Sequence, residues 1–290
     1  MSSSLLNLLE SIDGSNPLFH SSNSIASKAP QTENRAREII QRIALKALST
    51  TDFFKHAIFY GGAALRFLHG LDRFTEDLDF KLLSPSTTFT LKPYFEKIHN
   101  EFIPFGIDIE ADIEKKSSKG IISTILKVNA IRQIQSLGDK EQPDFNKKIT
   151  VKIEISTNPA NYTFNLVESM IHKPKTFTVR TIDKTELFAG KLCAALWRRQ
   201  SKGRDWYDIM WYISNNISLN LSYFNSSIQQ IGLKPCDPNT ILEMIGKKIK
   251  EIDWEKMKED VIPYVEKPEI VKNLSEVFFL DLIQNLKIIT

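Results

Sequence analysis

The chain has 290 residues, 42% of them hydrophobic and 25% charged, close to ordinary globular usage, so a wholly disordered polypeptide is excluded and a substantial core can form. A net charge of only +3 excludes any inference of nucleic-acid binding from bulk charge. Two cysteines, Cys193 and Cys236, and five scattered histidines show no spacing that would hold zinc or activate a nucleophile, and reduced thiols are expected.

In chain order, residues 1 to about 33 read as a serine-rich polar arm with a short apolar patch at Leu5, Leu6, Leu8 and Leu9. Glu10 and Asp13 interrupt that patch and no basic segment precedes it, so no secretory signal is expected. No stretch has the length and apolarity of a membrane span; the cytoplasm is the expected compartment, and no membrane partner is expected. Ala36 to Leu48 has helical periodicity, and strand, helix and strand follow through Ile58 to Leu83. Leu91 to Phe105 reads as a helix ending near Gly106. Ile107 to Ile113, Ile121 to Ile131 and Ile149 to Ile155 read as strands of one sheet, with Lys140 to Lys148 a polar connector. One more strand of that sheet is expected at Thr176 to Ile182, and the remainder reads as helical. The turn Pro235-Cys236-Asp237-Pro238 precedes a terminal helical bundle. The expected organisation is an arm over 1–33, an α/β domain over 34–165 and a mainly helical domain over 166–290.

Two segments near the first strands carry chemistry. His56 to Tyr60 is an apolar, β-prone run, Gly61-Gly62 permits a tight turn, and Ala63 to His69 has helix-forming composition. Such a turn presents backbone N–H groups at a positively polarised helix start, where phosphate oxygens are favoured, although it is also ordinary turn chemistry. In Arg73-Phe74-Thr75-Glu76-Asp77-Leu78-Asp79-Phe80, Leu78, Phe80 and Leu82 alternate with Asp77, Asp79 and Lys81, which places both aspartates on one side of a strand. Paired carboxylates repel each other unless a cation lies between them, and hard oxygen ligands beside a phosphorylated substrate suit Mg2+; the bland alternative is a solvated strand face. Glu154 lies on the polar side of Val151-Lys152-Ile153-Glu154-Ile155. It can complete that metal site from a neighbouring strand, or pair with Lys152.

Further on, Lys191 is the only charged residue between Leu187 and Trp197, in a run that reads as a buried helix. It needs an anion or a route to solvent for its ammonium. Asp183 is the candidate N-cap, with Glu186 three residues later in the capping-box position. Asp205 and Asp208 share a helix face after a polar break at Ser201-Lys202-Gly203, and Asp208 can pair with Arg204 at four-residue spacing. The basic groups Arg198, Arg199, Lys202 and Arg204, and Lys247, Lys248 and Lys250, can hold a phosphodiester or be solvated helix faces.

Taken together, Gly-Gly-x-Ala-Leu-Arg, Arg-Phe-Thr-Glu-Asp-Leu-Asp-Phe, Glu186-Leu187-Phe188-Ala189-Gly190-Lys191-Leu192 and Arg204-Asp205-x-x-Asp208-Ile209 resemble the AbiEii toxin family. These are bacterial nucleotidyltransferase-like proteins of the DNA polymerase β superfamily, and the resemblance spans roughly residues 58 to 213. It implies an α+β fold, a mixed sheet with flanking helices followed by a helical C-terminal region. It implies Mg2+-dependent transfer of a nucleotide from an NTP to a hydroxyl acceptor, with a tRNA 3′ end as the acceptor and a cognate antitoxin as partner. The catalytic set it implies is Asp77, Asp79, Glu154, Lys191 and Asp205, with Asp77, Asp79 and Glu154 on the metal and Gly61, Gly62, Arg66, Thr75 and Lys191 on the nucleotide. Family members often carry a hydroxyl residue after the paired glycines; Ala63 here removes a phosphate hydrogen bond. A binding module without turnover and a small-molecule nucleotidyltransferase are the alternative readings.

Overall fold

The computed structural model describes residues 29–118, 120–128, 148–173, 175–198 and 200–290. Most of the expected arm and of the connector at Lys140 to Lys148 therefore lies outside the described residues, as do the last three residues of the strand expected to reach Ile131. The described chain forms two compact units.

The first unit runs to Gly70 and then takes in Phe74–Pro159 and Glu168–Thr181. Helix α1 (Ala29–Ser49) begins earlier than expected from the periodicity and buries Ala36, Ile39, Ile40, Ile43, Ala44 and Ala47 at three- and four-residue spacing. Short helix α2 (Phe53–His56) leads into β1 (Ala57–Tyr60), α3 (Gly61–His69), β2 (Asp77–Leu82) and α4 (Lys92–Phe102), which hands over to a single 3-10 turn ending at Gly106. Strands β3 (Ile109–Ala111), β4 (Lys115–Lys116), β5 (Ile121–Val128) and β6 (Ile149–Ser156) complete one mixed sheet of order β1-β2-β6-β5-β3, with β4 on β5. Within this sheet, among the described residues, β2 and β6 pair in parallel and the other pairs are antiparallel. One face buries Leu78, Phe80, Val151, Ile153 and Ile155 completely in the core that α1 covers. The period-two alternation that makes those residues internal leaves their neighbours on the opposite, polar face. This is the α+β mixed sheet with flanking helices that the sequence predicts.

One predicted strand pairs differently. The segment at Thr176 to Ile182 forms β8 (Phe177–Ile182), but it joins β7 (Leu166–Ile171) in a separate two-stranded sheet instead of extending the main one. A sequence-local hairpin closes a short loop at low entropic cost. Its tie to β1 is a side-chain bond, in which the Thr181 hydroxyl donates to the Phe59 carbonyl at 2.7 Å.

The second unit comprises Leu71–Arg73, Ala160–Val167 and Ile182–Thr290. The chain thus passes between the two units several times. Its helices are α5 (Lys184–Trp197), α6 (Gly203–Ser214), α7 (Leu221–Gln230), α8 (Pro238–Lys250), α9 (Trp254–Val261), α10 (Pro268–Val271) and α11 (Glu276–Leu282). The core stacks Phe188 on Tyr212 at 4.4 Å and sets the rings of Trp254 and Phe279 against Trp206. Helices α6 and α9 approach so closely that a Cβ on Gly203 would come within 2.1 Å of the Met257 carbonyl oxygen. The polar break before α6 therefore also serves as a packing site.

Asp183 caps α5 as predicted, its carboxylate accepting from the Thr185 amide at 2.8 Å. The capping box does not close. Glu186 is fully buried and turns to Asn165 and Tyr162, accepting from the Tyr162 hydroxyl and the Asn165 side-chain amide at 3.0 and 2.9 Å, while the Asp183 amide donates to the Asn165 carbonyl. Tertiary partners have replaced the local one.

Candidate active site

In the first unit, parallel pairing of β2 with β6 sets Asp77 opposite Lys152 and Asp79 opposite Glu154. All four side chains stand on the polar face, half-buried, because their odd-numbered or even-numbered neighbours fill the core. The Lys152 ammonium lies 2.5 Å from Glu154 Oε1. Burial works against that ammonium, but Glu154, with Asp77 and Asp79 beyond it, holds its pKa above the usual lysine value.

The glycine turn abuts the same face. Tyr60 pairs with Asp79, and Gly61 follows with φ +78, a conformation that side chains rarely adopt. A Cβ at Gly61 would fall 2.4 Å from Asp79 Oδ2, so glycine is required both for the turn and for the approach to the carboxylate. Ala63, two residues on in the first turn of α3, is fully buried in the core. The start of β2 is pinned from two sides. The Thr75 hydroxyl and the Gln41 amide donate to the Asp77 carbonyl at 3.0 and 3.3 Å. Thr75 thus orients Asp77 through the backbone. Arg66 donates from Nε to Glu38 at 2.5 Å, its guanidinium 4.0 Å from the Phe74 ring centroid. Glu38 also receives Arg42 at 2.8 Å. Burial alone would raise Glu38, but the two guanidinium groups outweigh it and hold its carboxyl below the usual range.

Asp77 and Asp79 are the residues that could hold a Mg2+ ion through hard oxygen donors, beside the Gly61-Gly62 turn. Among the described residues, no group of three or more His, Cys, Asp or Glu side chains is gathered for a metal. The third carboxylate, Glu154, is in register with Asp79 but turned to Lys152.

In the second unit, Lys191, Asp205 and Asp208 meet in a buried ionic cluster. The Lys191 ammonium lies 3.0 Å from Asp205 Oδ1 and 2.9 Å from Asp208 Oδ2. Arg73 grips Asp208 with two bonds, Nε to Oδ1 at 2.7 Å and Nη2 to Oδ2 at 2.6 Å, and Arg198 donates to Asp205. The expected pairing of Asp208 with Arg204 does not form: Arg204 faces Asp260 at 3.8 Å and lies over the Tyr264 ring. Helical spacing makes Arg204 reachable, but Asp208 points inward with no exposed surface, whereas Arg204 follows the outer partner. Lys191 therefore has its anions from its own chain, although its side chain keeps 12% of its surface exposed.

A family model described as the nucleotidyl transferase AbiEii toxin of type IV toxin–antitoxin systems matches residues 43–276. The chain belongs to the AbiEii family. It is accordingly a nucleotidyltransferase of toxin–antitoxin type. Two H. pylori crystal structures share the fold. One, described provisionally as a nucleotidyltransferase, is 18% identical with a TM-score of 0.51, covering 86% of this chain and 92% of that one. The other, JHP933, is 18% identical with a TM-score of 0.50, covering 91% and 92%. No curated protein matches. No helix of this AbiEii protein, among the described residues, is long and apolar enough to cross a membrane.

Periodicity and spacing did not single out Gln41, Glu38 or the Arg73 clamp. The sequence signal for Arg73 is its place at the head of the Arg73-to-Phe80 motif, which does not reveal its partner. For Lys191, burial lowers the pKa, but Asp208 and Asp205 raise it more; for Asp205, burial raises it, but Lys191 and Arg198 lower it more. The linkage follows in sign. The depressed carboxyls of Asp205 and Glu38 contribute stability that is present above their ordinary values of 3.8 and 4.5 and lost as pH falls through the lower folded values. Lys191 contributes stability that is present below 10.5 and lost as pH rises through its higher folded value. Urea midpoints of the AbiEii protein should therefore form a plateau across neutral pH and fall at both extremes. In Asp205→Asn the acid-side decline should become shallower.

Proposed function

We propose that this AbiEii protein transfers a nucleotide from an NTP to a hydroxyl acceptor in a Mg2+-dependent reaction, with a tRNA 3′ end as acceptor. The observation that carries the reading is the close fit of the Gly61 turn to Asp79, on the face Asp79 shares with Asp77 and Glu154. Asp77 and Asp79 would hold the ion, with Glu154 as third ligand or as base for the attacking hydroxyl. When bound, the ion neutralises phosphate charge and helps align an in-line displacement. The Gly61-Gly62 backbone receives phosphate oxygens, and the buried face of β2 keeps the two aspartates at a fixed separation. The family resemblance implies Lys191 for the leaving pyrophosphate; within the second unit its ammonium is held by Asp205 and Asp208. Arg66 and Thr75 support the site by fixing α3 and the start of β2. The acceptor rests on the family resemblance, with a cognate antitoxin as the partner that resemblance implies.

The test is incubation of the purified protein with each of four labelled NTPs, Mg2+ and total bacterial RNA. Label on tRNA-sized RNA, from one preferred NTP and lost with a chelator, is the expected outcome. Label on a small molecule and none on RNA would replace the acceptor. Nucleotide binding without pyrophosphate release from any acceptor pool would refute turnover.

A further inference from the structure

We infer that Lys152 is a built-in counter-cation of the carboxylate face, one that occupies Glu154 in the nucleotide-free enzyme and makes divalent-ion binding depend on the charge brought by a triphosphate. The inference rests on the metal site proposed above. The sheet register brings three carboxylates, Asp77, Asp79 and Glu154, onto one face and places a single lysine opposite Asp77, two residues before Glu154 on its own strand. Its ammonium is bonded to Glu154 at 2.5 Å. Of the other lysines on this face, Lys81 stands one step further along β2, 5.0 Å from the Tyr60 ring centroid, and Lys127 on β5 is bonded to Asp112 at 2.5 Å. Lys152 is thus the cation that Glu154 would have to release to serve as a metal ligand.

A fixed positive charge bonded to Glu154, on the strand register of Asp77, opposes a second cation and engages one of its candidate ligands. The substrate reverses that balance, because a triphosphate supplies new anionic partners for both the metal and the ammonium. A divalent ion should then bind weakly alone and tightly with nucleotide, which links ion occupancy to the presence of substrate.

The experiment titrates Mn2+ into the full chain by electron paramagnetic resonance, with and without a non-hydrolysable NTP analogue. Lys152→Met should tighten Mn2+ binding without nucleotide by about tenfold, the scale of one like charge removed at a half-exposed site. It should also shrink the enhancement produced by the analogue. Lys152→Arg should behave as the unaltered protein, and adding Glu154→Gln to Lys152→Met should cancel the gain. Unchanged or weaker Mn2+ binding in Lys152→Met would overturn the inference. Asp79→Asn separates the two levels: if it leaves Mn2+ binding intact, the metal site itself is misassigned. If it removes binding while Lys152→Met gains nothing, only the role of Lys152 fails.

Discussion

Replacing Asp79 by asparagine is expected to reduce nucleotide transfer about a thousandfold or more, since a metal-stabilised displacement draws several kcal/mol of transition-state stabilisation from its ion. Asparagine keeps the shape of the side chain against which Gly61 is packed, so the turn and the β1–β2 pairing persist. The thermal midpoint should shift by only about a few degrees, because one repulsion between paired carboxylates is removed as one ligand is lost. Asp79→Ala should lose as much activity, and it also vacates the space beside Gly61. Transfer measured with labelled NTP at saturating Mg2+ decides the matter: activity undiminished in both variants would remove Asp79 from the chemistry.

The largest effect on stability is expected from Asp208→Ala. That carboxylate has no exposed surface and is the shared anion of Arg73 and Lys191, themselves 4% and 12% exposed at the side chain. Its removal leaves two buried cations with Asp205 as the remaining carboxylate of the cluster. Breaking a buried pair in this way costs about 3–5 kcal/mol, well above the cost of an average substitution. All four tryptophans, Trp197, Trp206, Trp211 and Trp254, belong to the second unit, so their fluorescence in urea reads this unit alone. Asp205→Ala should cost less, because its second partner, Arg198, is 40% exposed and can turn to water. Combining Asp208→Leu with Arg73→Met should recover much of the loss, since buried ionic groups replaced together by apolar ones leave less charge uncompensated. A variant Asp208→Ala as stable as the unaltered protein would show that the cluster is not the keystone of the second unit.

Sequence alone determined the local elements and their faces. Alternation by two residues is enough to place Asp77 and Asp79 on one side of β2, and Lys152 and Glu154 on one side of β6, because side-chain direction in a strand is a local property. The Asp183 cap was legible for the same reason, as it needs only the next two residues. Tertiary structure decided which faces meet. Glu154 stands beside Asp79 only because β6 returns parallel to β2 from more than seventy residues away. Arg73 finds Asp208 across 135 residues, against the four-residue helical spacing that favoured Arg204. Glu186 likewise left the cap for Asn165 and Tyr162, and β8 left the main sheet for β7. For Asp208 and Glu186 a local preference of a fraction of a kcal/mol was outweighed by burial, where an unpaired charge or polar group costs several times more, whereas β8 took the sequence-local hairpin partner.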